Sequence, residues 1–221
     1  SFLQECKGLT SLNLFRCDLI KDISFLQHYK KLTSLCLAGC TEITDFSILQ
    51  HCKELTNLSL IGCKQINDFS FLQHCNKLTS LDLSSCQIND FNFLKYCKEL
   101  TSLDLGDCKQ INNLSFLEHC NALTSLNLTM CQNINDFTIL QHCHGLQSVN
   151  LTNCGQINDL EFLQHCKELT SLNIFGCIYI DDLSFLESCK ALTSLNLSGC
   201  HQIKDSSIQL FRDRGVKIKG R

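Results

Sequence analysis

The chain has 221 residues, of which 44% are apolar and 19% are charged, and its net charge is −3. This composition excludes a disordered chain, and the negative charge argues against charge-driven binding to nucleic acid. No apolar run approaches the roughly 20 residues of a membrane-spanning helix, so we expect no membrane partner. Cysteine is unusually frequent, with 18 residues, and proline is absent. Disulfides, a metal site and core packing all remain open until the spacing is considered.

A repeated unit organises the chain from its first residues onward. The unit reads LxxLxLxxCxxIxDxSFLxxCxx, and a self-similarity at a fixed period is typical of stacked repeat proteins. Its starts are Leu9, Leu32, Leu55, Leu78, Leu100, Leu123, Leu146, Leu169 and Leu192. The step is 23 residues except in the unit from Leu78, which has 22 and lacks one residue after Cys86. We therefore assign residues 9–204 to nine repeats.

Each unit predicts the same three elements in the same order. Leucines alternate with polar residues in segments such as LTSLDL, which indicates a strand buried on one side. A turn with the first cysteine follows, and then an inward isoleucine such as Ile111. Aspartate comes next, with Asn113 as the exception, and is typical of a helix N-cap. The space that remains fits one or two turns of α or 3₁₀ helix.

The two ends of the chain are not complete repeats. Residues 1–8 match the tail of a further unit, so we expect the chain to be a fragment of a longer protein. Residues 205–221 predict a longer amphipathic helix, a glycine and a short alternating strand. We interpret them as a C-terminal cap over the last open face of the core. The segment from Lys204 to Arg221 has a local charge of +4, which is compatible with a solvated cap or with an acidic partner.

These motifs resemble the leucine-rich repeat family over essentially the whole chain. The spacing is similar to the internalin-type class, and the turn cysteine is similar to the cysteine-containing class of F-box proteins. The resemblance implies an α/β leucine-rich-repeat solenoid, a right-handed curved superhelix with a parallel sheet on its concave side and short α or 3₁₀ helices on its convex side. Stacking is also required on physical grounds, because one unit cannot bury its own apolar face.

The cysteines follow the repeat, which favours a packing role for them. One set occupies the turn after each strand and a second set the inward side of each convex segment, with Tyr29 replacing one member. A free thiol suits both places as a small apolar group and weak donor. Equivalent side chains in stacked units do not face each other, so we expect neither disulfides nor a metal site, despite repeated His-Cys pairs. Many free thiols predict a reducing compartment, and we expect a cytoplasmic location.

One cysteine falls outside both sets. Cys36 lies between two inward leucines, at an outward position of the strand. It is predicted to be the most accessible thiol of the chain. A small residue within a polar row and a reactive cysteine are both compatible with this position.

The candidate binding residues lie on the concave side and just beyond the strands, where the units differ. Exposed apolar residues are typical of interfaces, and acidic residues at the centre would attract a basic partner. The predicted site comprises Phe15, Arg16, Cys36, Ile61, Asp82, Asp104, Asp107, Met130, Asn153 and Phe175. The alternative is that the large side chains fold down over the edge of the solenoid.

No nucleotide-binding, hydrolase or metalloprotease motif is present, and no thiol stands beside an evident base. We therefore expect no enzymatic activity, no catalytic residue and no cofactor. The favoured hypothesis is a monomeric module that binds a protein partner, as the recognition part of a larger adaptor or effector. A metal- or redox-responsive cysteine protein and a structural spacer are the alternatives.

Overall fold

A computed structural model describes residues 8–220, so Cys6, most of the 1–8 segment and Arg221 lie outside the described residues. Ten parallel strands form one sheet in sequence order, each paired in register with the next. The strands are β1 Ser11–Asn13, β2 Ser34–Cys36, β3 Asn57–Ser59, β4 Ser80–Asp82, β5 Ser102–Asp104, β6 Ser125–Asn127, β7 Ser148–Asn150, β8 Ser171–Asn173, β9 Ser194–Asn196 and β10 Lys217–Lys219. The repeat and the sheet therefore have the same period.

Short 3₁₀ helices connect the strands along the opposite side. Their bounds are Ser24–His28, Ser47–His51, Ser70–His74, Asn92–Tyr96, Ser115–His119, Thr138–His142, Glu161–His165 and Ser184–Ser188. Aspartate lies one residue before the N-cap and not at it as predicted: Phe46 is the N-cap of Ser47–His51, and Asp45 accepts the backbone N–H of Ser47 at 2.8 Å. Five residues leave room for 3₁₀ rather than α geometry before the next strand.

The core is a continuous column of inward leucine, isoleucine, phenylalanine and cysteine side chains. Leu35, Leu58 and Leu81 lie opposite one another on consecutive strands and are each no more than 2% exposed. Each unit covers the apolar face of its neighbour, as the repeat requires. The fold class is therefore the α/β leucine-rich-repeat solenoid that the sequence predicts.

A threonine ladder fixes the start of the strands. The backbone N–H groups of Thr33 and Ser34 both donate to the Thr10 carbonyl oxygen, and the Thr33 hydroxyl donates to the same atom at 3.0 Å. The pattern repeats along the sheet and is interrupted at Gln147. Adjacent units are thereby held in register at the edge where each strand begins.

The C-terminal segment completes the stack. Helix α1, Asp205–Asp213, replaces the ninth 3₁₀ helix and buries Ile208 and Phe211. Gly215 takes a positive φ of 79°, which turns the chain back into β10. Among the described residues, no helix has the length and apolar character that crossing a membrane demands.

Candidate protein-interaction surface

The polar residues at the ends of the strands are committed to turns. The Oδ1 atom of Asn127 accepts the backbone N–H of Thr129 at 3.0 Å, and Asn150 accepts that of Thr152 at 3.1 Å. The same bond forms at Asn13, Asp82, Asp104, Asn173 and Asn196. These side chains therefore turn the chain out of the sheet, which is a local structural role for short polar residues.

The residue before each turn cysteine adopts a left-handed backbone conformation. Glycine occupies this position in four repeats, as Gly39, Gly62, Gly176 and Gly199. Five repeats instead have Arg16, Ser85, Asp107, Met130 and Asn153, with φ between 55° and 61°. A residue with a Cβ atom is strained there by roughly 1–2 kcal/mol. Of these five, all but Ser85 were predicted as binding residues.

Two of the strained residues lie against a glycine of the next repeat. A Cβ at Gly39 would approach the Arg16 Cγ to 3.1 Å, and a Cβ at Gly176 would collide with the Asn153 Oδ1. Arg16 is exposed, whereas Asn153 is partly buried. The glycine in the following repeat is thus what makes space for the larger side chain.

The predicted apolar residues are all exposed to solvent, to different degrees. Phe15 is 61% exposed, Ile61 37%, Met130 38% and Phe175 41%. Phe15 is thus mostly in solvent, whereas Ile61, Met130 and Phe175 have more than half of their surface covered by the protein. All four belong to the turns between a strand and its 3₁₀ helix, and we call these turns the rim. Apolar side chains of this size in solvent are characteristic of interaction surfaces.

Three further exposed apolar residues of the rim were missed. Leu19 is 93% exposed, Ile178 46% and Tyr179 50%. Leu19 and Tyr179 occupy a position at which other repeats carry residues such as Glu42 and Gln65. A position-by-position comparison of the repeats would have identified them. Phe175, Ile178 and Tyr179 share one rim turn, which makes the eighth repeat the most apolar part of this edge.

Asp82 and Asp104, at the acidic centre of the predicted site, share a hydrogen-bond partner. The Ser84 Oγ lies 2.6 Å from the Asp82 Oδ1 and 2.7 Å from the Asp104 Oδ1. Asn127 donates to the other oxygen of Asp104 at 2.8 Å. Burial, opposed in part by the Ser84 hydrogen bonds, raises the pKa of Asp82, and the nearby Asp104 charge raises it further. The Ser84 hydroxyl is neutral and donates to only one carboxylate at a time, so it cancels the charge of neither, and the pair gives this part of the sheet a negative potential.

Asp107 does not join this pair. The Lys109 Nζ lies 3.4 Å from its Oδ1, and the Ser85 hydroxyl donates to its Oδ2 at 3.3 Å. The Lys109 contact is an ion pair without hydrogen-bond geometry, since Oδ1 is buried and has no hydrogen-bond partner. The local cation reduces what Asp107 can contribute to attraction of a basic partner.

The cysteines form two buried ladders. In the turn ladder, the Cys63 thiol donates to the Leu37 carbonyl oxygen and the Cys154 thiol to that of Leu128, at 3.2 and 3.0 Å. In the helix-side ladder, the Cys75 thiol donates to the Leu49 carbonyl oxygen at 3.6 Å. None of the 17 cysteines within the described residues forms a disulfide, and fifteen are buried. These contacts are those of thiols packed in the core, which is the role predicted for them.

Cys36 is less distinctive than its sequence position suggests. It is partly exposed, but so is Cys17 in the first turn. Accessibility therefore does not single out Cys36 among the thiols. Neither thiol belongs to a metal-binding group, because no cluster of three or more His, Cys, Asp or Glu side chains suited to a metal occurs between residues 8 and 220.

Comparison with known proteins identifies the family. Sequence models described as leucine-rich repeats match residues 30–74, 76–119 and 188–211, which together make up just over half of the chain. The chain belongs to the leucine-rich repeat family. No curated protein matches its sequence. Leucine-rich repeats in general mediate protein–protein interaction, and their fold is typically a non-enzymatic scaffold.

Three similar solved structures come from Listeria monocytogenes. An internalin, InlF, has a TM-score of 0.52 and 20% identity over 90% of this chain and 70% of its own. Internalin C2 has a TM-score of 0.53 and 24% identity over 72% of this chain and 77% of its own. The functional domain of InlJ, described as including a cysteine ladder, has a TM-score of 0.56 and 18% identity, and the match spans 89% of this chain and half of that domain. At these identities, the likeness concerns the fold.

Proposed function

We propose that this chain is a protein-binding module that takes its partner on the outward face of the sheet and on the rim beside it. The observation that carries this proposal is the row of exposed apolar side chains on the rim, Phe15, Ile61, Met130 and Phe175. They extend from a frame whose other large apolar residues are mostly buried. Partly exposed aromatic groups on a rigid scaffold are typical anchors of protein interfaces.

The scaffold supports this role by its rigidity. Backbone hydrogen bonds continue past the strands into the rim, where the Met130 N–H donates to the Thr152 carbonyl oxygen and the Asn153 N–H to that of Phe175. The backbone of the rim is therefore held in place before a partner arrives. A preorganised surface loses less conformational entropy on binding.

We further propose that the module acts in a reducing compartment, as the recognition part of a larger adaptor or effector. The support is the set of buried thiols, which form S–H···O contacts and no disulfides among the described residues. A cytoplasmic adaptor and a bacterial effector that acts inside a host cell would both meet this condition. The turn cysteine, similar to that of F-box proteins, makes a ubiquitin-ligase receptor one form that the adaptor would take.

Affinity capture tests the proposed surface. Phe15, Ile61 and Phe175 are changed together to serine, and the bound proteins are compared by mass spectrometry with those of the unchanged chain. A matched control replaces three exposed residues of the helix side, Gln27, Gln73 and Gln164, with alanine. We expect the specific partners to disappear only in the rim variant. An identical partner set for all three proteins would contradict the proposal and favour a structural spacer.

A further inference from the structure

Two lysines extend the polar rows of the sheet at its C-terminal edge. Strand β10 pairs in parallel register with β9, so that Lys217 lies opposite Ser194 and Lys219 opposite Asn196. The intervening Ile218 lies opposite the buried Leu195 and packs against the core. Both lysines therefore share the outward face of the sheet with the serine and asparagine rows.

Neither lysine is paired with a carboxylate of residues 8–220. Lys217 and Lys219 are both exposed. The salt bridges among the described residues involve Lys21, Lys77, Lys109 and His119 and leave both of them out. The two lysines are separated by a single residue and share one face of the sheet. Their ammonium groups form a compact positive end in a chain whose net charge is −3.

Hydrogen-bond donors continue this positive end onto the neighbouring strands. The Oδ1 atoms of Asn173 and Asn196 accept the N–H groups of Phe175 and Ser198, at 3.0 and 3.1 Å. Their amide oxygens are thereby committed to turns. At Asn196, whose Oδ1 also accepts the Ser198 hydroxyl at 2.8 Å, what remains for a ligand is the side-chain NH₂, which only donates. The surface beside the lysines thus matches a ligand rich in acceptors.

The opposite charge occupies the middle of the same rows. Asp104 is on β5 and Lys219 on β10, five strand spacings apart, which corresponds to about 24 Å at about 4.8 Å per strand. A carboxylate-bearing ligand is attracted to one end and repelled from Asp82 and Asp104. This arrangement fixes where along the sheet such a ligand settles.

An apolar anchor lies beside the positive end. Phe175, Ile178 and Tyr179 are each 41–50% exposed and belong to the rim turn that follows β8, two strands from β10. A segment that places carboxylates over the lysines can therefore place an apolar side chain on this turn. Charge and apolar contact then select the same end of the molecule.

We propose that the surface formed by Lys217, Lys219, Asn196 and the rim turn of Phe175, Ile178 and Tyr179 binds an acidic peptide segment of a protein partner that also carries apolar side chains. This inference rests on the proposed function and adds the chemistry of the partner. The ligand would run across β8–β10, with its carboxylates accepting from the lysine ammonium groups and the asparagine amides. Binding should weaken with salt, because both cations are exposed.

Fluorescence anisotropy with two designed peptides tests this proposal. The probe is a fluorescein-labelled twelve-residue peptide with six glutamates followed by phenylalanine and leucine residues, and its counterpart has lysine in place of each glutamate. The acidic peptide should bind the unchanged chain at least tenfold more tightly than the basic one. Equal binding of the two peptides, or no binding of the acidic one, would overturn the proposal.

Charge reversal locates the site. The double variant K217E/K219E should lose at least tenfold in affinity for the acidic peptide. The control K167E/K190E has the same charge change on exposed turns that follow the 3₁₀ helices, and should stay within twofold of the unchanged chain. If the glutamate pair disturbs β10, the neutral pair K217Q/K219Q serves instead, with a loss of at least threefold. Equal affinities for the lysine variants and the control would contradict the site.

Two more measurements separate the remaining outcomes. A single-stranded oligonucleotide that displaces the acidic peptide and binds more tightly would overturn the peptide assignment in favour of nucleic acid. In affinity capture, a partner lost in the rim triple variant but kept in K217E/K219E would overturn the acidic-ligand inference while leaving the proposed function intact. A partner lost in both variants is the expected result.

Discussion

The Nη2 atom of Arg214 donates a hydrogen bond to the carbonyl oxygen of Cys189 at 2.6 Å. In earlier repeats a thiol of the following unit contacts the corresponding carbonyl oxygen, as Cys75 does with Cys52 at 3.9 Å. The guanidinium therefore occupies the place that the next cysteine would take if the ladder continued. It also lies over the Phe211 ring, 5.4 Å from its centroid. Arg214 thus terminates the helix-side ladder.

Replacement of Arg214 should destabilise the C-terminal end of the stack. R214A leaves the Cys189 carbonyl oxygen without its donor and uncovers Phe211, and we expect a loss of about 1–3 kcal/mol in the free energy of unfolding. Urea titration followed by circular dichroism measures it. The control K190A, on an exposed turn, should change stability by less than about 0.5 kcal/mol. Equal midpoints for R214A and K190A would contradict the capping role.

The fold was predictable because every buried position recurs in every repeat. Leucine, isoleucine and cysteine recur with the period of the unit, so about nine repeats each indicate the same buried positions. The cysteine ladders followed from the same regularity. The turn hydrogen bonds of Asp82 and Asp104 were not predictable in this way. A carboxylate that is free to bind a partner and one that accepts a hydrogen bond within a turn occupy the same position in the repeat. Only the positions of Ser84 and Gly106 show that these oxygens accept hydrogen bonds.

The left-handed rim position was visible in the sequence but was not recognised. Four glycines at one place in the unit indicate a positive φ, and comparison with Met130 or Asn153 would have identified strained residues. Exposure at the rim was harder to predict. The side chains of Ile178 and Tyr179 follow the same turn pattern as polar residues elsewhere, and no packing requirement in the unit determines where they point.

The strain at the rim predicts opposite effects for two substitutions. M130G should raise the free energy of unfolding by about 1 kcal/mol, because glycine adopts a φ of 61° without a Cβ penalty. G62A should lower it by about 1 kcal/mol, since nothing lies within 4 Å of the added Cβ and strain is the main cost. Thermal unfolding by calorimetry measures both. M130G should also capture less partner, and a loss of stability in M130G would refute this interpretation.

Native thiol reactivity should be confined to a few cysteines. Burial raises the pKa of Cys97 and Cys177 to about 12, so that thiolate is scarce at neutral pH. Among the described cysteines, we expect rapid alkylation only at Cys17 and Cys36, and reaction of all of them after denaturation. Iodoacetamide labelling with peptide mass spectrometry identifies each site. C36S should remove one rapid site without a change in stability, and rapid labelling of Cys97 in the native protein would be inconsistent with the ladders.

The same thiols should make the fold sensitive to alkali. Their pKa in the folded protein is raised from 9.0 to about 12, as at Cys75 and Cys120, so the stabilisation they share is complete below pH 9 and is lost as pH rises toward 12. Each such thiol costs about 1.4 kcal/mol per pH unit in that window. Several together approach the total stability of an ordinary domain, about 5–15 kcal/mol.

We therefore expect cooperative unfolding between pH 9 and pH 11, detected by circular dichroism and reversed on rapid return to pH 7 in the presence of reductant. A variant with C75A and C97A has lower stability at pH 7 but should show a shallower decline above pH 9, because two ionisable groups are gone. A urea midpoint that stays constant from pH 8.5 to pH 11 would contradict the burial of the thiols.

Hydrogen–deuterium exchange of the module with and without a captured partner tests the central claim most directly. If the sheet face and the rim bind the partner, protection should increase in the rim turns and in β8–β10, and the 3₁₀ helices should exchange as in the free chain. Protection confined to the 3₁₀ helices, with unchanged exchange at residues 175–179, would place the partner on the opposite side and contradict the proposed function.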